Sequence, residues 1–291
     1  MRISTKLLIG LNKCFKAPVH PFNLQRDGVK SYAMWQYEKG ADTIKLYLKN
    51  YTKEEMFENK VVADIGCGAA GKSLYYASCG AKKVFGVEIL DKYESEANAL
   101  ACELGYKEKF EFICADASAL PFEDGSIDTI IMNDAMEHVD EPEGVICECM
   151  RVLKDGGRLY ANFPPYHHPF GAHLSDLIYI PWVHLFFGEK TLIEAYKHLA
   201  KNEADGDSRI EFRISKKDDG SEYFSYINHM TIKRFDKILN KLGIVPVYYK
   251  REPLRSAFCL LSKLPILREL LVKMVVCVIE KQSVVKNCKN R

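Results

Sequence analysis

The stretch Val61-Val62-Ala63-Asp64-Ile65-Gly66-Cys67-Gly68-Ala69-Ala70-Gly71 decides the fold, because an apolar strand ends on an acid and then turns sharply through three glycines. Glycine adopts positive φ at little cost and lets the backbone approach a ligand, while a helix that follows offers unpaired N–H groups and the positive end of its dipole. The stretch reads as one wall of a nucleotide-shaped cofactor site. Gly66-x-Gly68-x-x-Gly71 matches the dinucleotide fingerprint, which asks for an acid about 20 residues later to hold a ribose. Glu88 meets that demand at the end of the apolar run Lys83-Val84-Phe85-Gly86-Val87-Glu88. On these residues alone, two classes of cofactor fit.

Asp64 separates the two classes. A carboxylate two residues before the first glycine suits a cationic or amino group and repels a pyrophosphate. At this point the chain resembles the class I S-adenosylmethionine-dependent methyltransferases, whose first motif reads Asp-x-Gly-x-Gly after an apolar strand, as Asp64, Gly66 and Gly68 do. Phe112-Ile113-Cys114-Ala115-Asp116-Ala117-Ser118-Ala119-Leu120-Pro121-Phe122 is similar to the family's adenine-binding segment. Asp124 to Asn133 looks like its turn and fourth strand, and Glu137-His138-Val139 follows as in the small-molecule branch that includes the ubiquinone and menaquinone pathways. Arg151 to Leu159 resembles the helix end and entry to the fifth strand, so ordered motifs cover roughly residues 58 to 163. The resemblance implies S-adenosyl-L-methionine as cofactor, held by Asp64, Gly66, Cys67, Gly68, Gly71, Glu88, Asp116, Ala117 and Asn133, with Asp116 taking the adenine amino group.

The length of 291 residues fits one large domain with an insertion. Periodicity predicts strands at 61–65, 83–88, 110–114, 127–133 and 157–163, with helices near 71–79, 91–104 and 141–153. Such alternation specifies an α/β, Rossmann-like, doubly wound and mostly parallel sheet, of seven strands in the family resembled. Its ligands sit beyond the carboxyl ends of the strands, where Asp64, Glu88, Asp116 and Asn133 fall. The organisation expected is a helical leader at 1–57, a cofactor-binding core at 58–163, a substrate lid at 164–229, the end of the core sheet at 230–262 and a basic amphipathic tail at 263–291. Within the fourth segment, Thr231 to Leu242 reads as a helix and Val245 to Arg251 and Ser256 to Leu261 as strands.

The net charge of +2 hides an asymmetry, since both ends are basic and the middle is net −11. Ile266, Leu267, Leu270, Leu271, Met274, Val275 and Val278 share one helical face beside Arg268, Lys273 and Lys281, a pattern that suits either an anionic membrane surface or a helix packed on the sheet. Arg268, Glu269 and Lys273 break that run far short of the roughly 20 apolar residues a spanning helix needs. The ten cysteines show no paired spacing and follow no secretory signal, so a cytoplasmic setting with reduced thiols is expected. No three-cysteine cluster exists to hold iron and sulfur, which leaves polar methyl transfer.

Methyl transfer to a hydroxyl requires alignment, exclusion of water and removal of a proton. Histidine is the natural base near neutral pH, and the candidates are His138 at the mouth of the fourth strand and His167, His168 and His173 in the insertion. Asp134, Glu137 and His138 would share one face of a helical turn, a spacing that resembles a metal-binding motif of some ubiquinone-pathway and small-RNA methyltransferases. A divalent ion there would polarise an acceptor hydroxyl. Phe163-Pro164-Pro165-Tyr166 lacks the polar first residue that amino-directed nucleic-acid methyltransferases need, and the acidic middle offers no phosphate-binding surface, so nucleic acid is excluded. Aromatics from Tyr166 to Phe187 suit an apolar pocket and hence a small or lipid-linked acceptor, with membrane-surface association through the basic ends. A cofactor-binding regulator without turnover and a nicotinamide-dependent oxidoreductase are the competing readings.

Overall fold

A computed structural model describes residues 1–18 and 31–282, which group into two compact units. One unit comprises residues 31–163, 232–252 and 274–282; the other comprises 1–18, 164–231 and 253–273.

The larger unit is built on a seven-stranded sheet. Its strands are β1 (Val61–Ile65), β2 (Lys83–Glu88), β3 (Phe110–Cys114), β4 (Ile127–Asn133), β5 (Leu153–Phe163), β8 (Tyr248–Pro253) and β9 (Val272–Glu280), while β6 (Ile214–Lys216) and β7 (Glu222–Phe224) form a separate hairpin. The order is β3-β2-β1-β4-β5-β9-β8. Pairing is parallel from β3 through β5, and β9 runs antiparallel to β5 with Tyr160 opposite Val278. The chain reverses strand order between β1 and β4, so the crevice for a ligand opens there. β1 and β4 are buried along nearly their whole length, as central strands of a parallel sheet covered on both faces are. Helices Gly71–Ser78, Glu94–Glu103 and Pro142–Val152 fall within three residues of the sequence reading, and Ile232–Leu242 does likewise.

The last third departs from the expected pattern. Ser256 to Leu261 is no strand; it forms short 3-10 turns at Ser256–Phe258 and Leu261–Lys263. The predicted amphipathic helix stops at Leu271, and Val272–Glu280 is a strand between β5 and β8. Met274, Val275 and Val278 therefore belong to the sheet rather than to a surface face. Val275 through Ile279 are all buried, so both faces of β9 are covered, and its run of β-branched residues suits that role. Sheet pairing at the other end begins later than expected, because Val245 is 82% exposed and β8 starts at Tyr248.

The smaller unit contains the insertion together with the N-terminal helix Ile3–Asn12 and residues 253–273. Leu8 of that helix packs among Leu177, Ile178, Leu192 and Tyr196. Asn12 closes its end, donating from Nδ2 to the Leu177 carbonyl at 2.8 Å and accepting from the Tyr179 N–H at 2.6 Å. The polar residues 201–220 hold helix Gly206–Arg213, whose Arg209 and Arg213 reach the fully buried Asp176 at 3.4 and 3.2 Å. Eight cysteines among the described residues are free thiols, and Cys147 is not one of them.

Candidate functional site

The glycine turn is held open by its own backbone and by β2. Gly66 and Cys67 both donate to the Val87 carbonyl, at 2.8 and 3.2 Å, which forces the chain to fold back at the end of β1. Gly66 and Gly68 sit at φ +75° and +53°, and Ala70 follows at +64°. A Cβ on Gly66 would stand 2.9 Å from the Ala135 methyl, whereas one on Gly68 would meet nothing within 4 Å. The Gly66 constraint is packing; the Gly68 constraint is open space kept free above the turn.

Asp64, two residues before Gly66, is 3% exposed. Its Oδ2 accepts from Ser73 Oγ at 2.6 Å, and burial pushes its pKa up to about 6 despite that hydrogen bond and the nearby Lys72. An acid so desolvated is primed to ionise against a cationic ligand. Glu88, at the end of β2, accepts from Gly68 N–H at 3.0 Å on one oxygen and from the Ile89 and Leu90 N–H groups on the other. Three of roughly four lone-pair positions are thus filled, so a second hydroxyl donor must displace the Gly68 N–H. Asp116, beyond β3, is exposed; its Oδ1 accepts from Ser118 N–H at 2.7 Å in a turn that also contains Ala117. Cys67 is buried, and burial pushes its thiol well above the usual range, so it contributes through its backbone.

Asn133 has a different environment from its neighbours. Its Oδ1 accepts from the Tyr47 hydroxyl and from Asn162 Nδ2, both at 2.6 Å, and its Nδ2 donates to the Thr43 carbonyl at 3.3 Å. The side chain is spent on a buried network behind the site. Only its backbone, at the end of β4, remains for a ligand.

Glu137 and His138 lie on a turn closed by His138 N–H to the Ala135 carbonyl at 2.9 Å, with Asp134 just before it and no helix to align the three. Asp134 is left-handed at φ +53°, and its Oδ2 is 3.4 Å from Lys72 Nζ. Glu137 is buried, and burial followed by the Asp134 charge raises its pKa well above the ordinary value. His138 is exposed, with Nε2 4.0 Å from Glu137 Oε1. Burial lowers the Lys72 pKa, but Asp134, Tyr32 and Asp64 outweigh it and leave the net value raised. Lys72 carried no signal in the sequence, since its partners come from β1, β4 and the helix Tyr32–Glu38. That helix closes on the turn so tightly that a Cβ on Gly71 would reach within 2.0 Å of the Ala33 carbonyl oxygen.

The histidines of the insertion sit in the smaller unit. His168 Nδ1 accepts from Phe170 N–H at 3.2 Å, which fixes the proton of the neutral ring on Nε2. Burial, then Lys273 and His184, push its pKa down to about 4. The lone pair a base needs is occupied, so His168 serves its loop and leaves the set of candidate bases. His167 is half-buried with its ring 5.5 Å from that of Tyr166, and His173, at φ +52°, accepts on its carbonyl from Arg213 Nε at 3.3 Å. The unit also gathers His184 and His229 around Tyr166, at ring distances of 4.8 and 4.3 Å. Neither showed in the sequence, because each stands alone and only folding assembles the cluster.

An α/β sheet with this order and an acid-glycine turn at its switch point define a nucleoside-cofactor fold. Residues 63–161 match the model of the methyltransferase domain family. Tocopherol O-methyltransferase, chloroplastic, of Arabidopsis thaliana is 35% identical over 107 residues, which are 37% of this chain and 31% of that protein. Sterol 4-C-methyltransferase strm-1 of Caenorhabditis elegans is 33% identical over 106 residues, 36% of this chain and 31% of that one. The match thus spans about a third of the length of these relatives. A putative S-adenosylmethionine dependent methyltransferase from Listeria monocytogenes shares the fold, with a TM-score of 0.53 at 16% identity over 84% of this chain and 99% of that one. Residues 63–161 of the chain thus carry a methyltransferase domain.

Proposed function

We propose that this protein transfers a methyl group from S-adenosyl-L-methionine to an oxygen of a small or lipid-linked, largely apolar acceptor, in a cytoplasmic setting. The observation that carries the reading is the buried Asp64, with its pKa raised by burial to about 6, at the end of the strand that runs into the Gly66–Gly68 turn. The donor set fits the cofactor, since a desolvated acid awaits a cation, Glu88 faces the turn from β2 and Asp116 keeps one oxygen that accepts from no described residue. When bound, the cofactor supplies a methyl on a sulfonium, open to in-line displacement.

The chain's own residues do the remainder. Asp64 ionises against the ligand's positive charge, and the gain is large because the site is shielded from water. Glu88 and Asp116 hold the nucleoside by hydrogen bonds to hydroxyl and amino groups. His138, at the mouth of β4 in the cofactor unit, takes the acceptor's proton, because His168 has no lone pair to offer. A divalent ion stays outside this reading, since Asp134, one of its expected ligands, is ion-paired with Lys72.

Calorimetry with S-adenosyl-L-methionine, followed by an assay for S-adenosylhomocysteine on incubation with lipid extract and with simple phenols, tests both halves. Binding lost in Asp64→Ala and product formed in the wild type are expected. Binding without turnover on any acceptor would favour a regulator, and binding of reduced nicotinamide cofactor instead would sink the reading.

A further inference from the structure

The N-terminal helix Ile3–Asn12 has three faces of different chemistry. Its inner face, Thr5, Leu8 and Asn12, is buried. Ser4 meets Thr191 at 3.0 Å and the amino terminus meets Glu194 at 3.4 Å, so the helix is tied to helix Glu189–Ala200 and cannot roll. Its outer face carries Ile3, Leu7 and Leu11 at 86%, 56% and 42% exposure, one helical turn apart, with Phe15 exposed just beyond. Lys6 and Lys13 are exposed along the third face, and residues 1–18 include no acid. An ordered apolar stripe of this kind, edged by cations alone, is unusual on a protein surface.

The same pattern recurs in the same unit. Leu260 is 77% exposed, and Leu261 and Leu264 are exposed with it, in a segment that also exposes the cations Arg255 and Lys263. Apolar side chains flanked by cations are complementary to a bilayer with anionic headgroups, where the apolar groups enter the acyl boundary and the cations stay at the phosphates. No helix among the described residues is long and apolar enough to cross a membrane, so contact through these faces would be peripheral. Two weak contacts on one compact unit give the paired signal that stable surface binding needs.

We propose that the smaller unit docks on an anionic lipid surface through the Ile3-Leu7-Leu11 stripe and the Leu260-Leu261-Leu264 turn. This goes beyond methyl transfer and stands whether or not the cofactor reading holds, because both faces lie outside the cofactor unit. Flotation of the full chain with vesicles of phosphatidylcholine alone, or with roughly one-third phosphatidylglycerol, tests it. Binding should appear on the anionic vesicles and fall at least about fivefold when salt rises from about 0.05 M to about 0.5 M. The pair Leu7→Glu and Leu11→Glu, and separately Leu260→Glu, should each weaken it about tenfold or more while circular dichroism and the Tm stay as in the wild type. No binding to either vesicle would overturn the proposal, as would binding indifferent to these substitutions. A dimer in solution that Leu7→Glu dissociates, with no vesicle binding, would instead assign the stripe to contacts between copies and also overturn it.

Discussion

Ser73 Oγ donates to Asp64 Oδ2 across 2.6 Å, joining the helix after the glycine turn to the strand before it. The bond fixes the buried acid at the end of β1. Asp64 consequently stands at about 6, between a paired carboxylate and a fully desolvated one.

The first prediction concerns pH. The folded pKa of Asp64 lies above its ordinary 3.8, so the unliganded fold is stabilised by the proton below about pH 4 and loses that stabilisation as pH rises through about 6. The loss amounts to about 3 kcal/mol. Asp64→Asn keeps an acceptor for Ser73 and should flatten the slope, giving a more stable unliganded protein at neutral pH by chemical denaturation. Affinity for a cationic cofactor runs the other way, rising nearly tenfold per pH unit up to about 6 in the wild type and staying flat and weak in the variant.

The two glycines at the turn should fail differently. Gly66→Ala meets both positive φ and the Ala135 methyl, so it should lower stability by about 2 kcal/mol or more. Gly68→Ala meets only the φ penalty, about 1 kcal/mol, and should keep its fold while its methyl blocks the ligand space. Thermal melts beside calorimetry separate the two, and equal losses of stability would contradict the distinction.

Asn133 should prove structural in its side chain. Asn133→Ala strips the Tyr47 hydroxyl and Asn162 Nδ2 of their shared acceptor, costing roughly 2–3 kcal/mol in urea unfolding. Cofactor affinity measured well below the midpoint should change little. A large affinity loss with unchanged stability would restore the direct contact.

His168 and His184 both stand at about 4, pushed down chiefly by burial. Their folded values lie below the unfolded ones, so the smaller unit loses stability as pH falls from about 6.5 towards 4. Hydrogen exchange should show its helices loosening over that window while the sheet holds, and His168→Gln with His184→Gln should narrow the difference. The pH–rate profile should carry no inflection from His168 between about 5.5 and 8. An inflection there abolished by His168→Gln alone would return it to the catalytic set.

Much of the cofactor unit was legible because its signals are local. β1 to β5 each announce themselves within a short window, and Asp64, Gly66 and Gly68 stand together in one run of five residues. Lys72, by contrast, means nothing until Asp134 and Tyr32 surround it, and Asn133 looks like a ligand contact until Tyr47 and Asn162 claim its amide. The histidine cluster at Tyr166 joins residues up to 63 positions apart along the chain.

Val272–Glu280 draws the boundary most sharply. Its apolar residues fit one face of a helix as well as a strand buried on both sides, because a short run satisfies either period. Local chemistry could say that this segment is buried and that an apolar strand ends on Asp64 and turns through glycines. Which shape the segment takes was settled by β5, whose open edge, from Arg158 to Phe163, offers unpaired backbone groups to it across more than a hundred residues of chain.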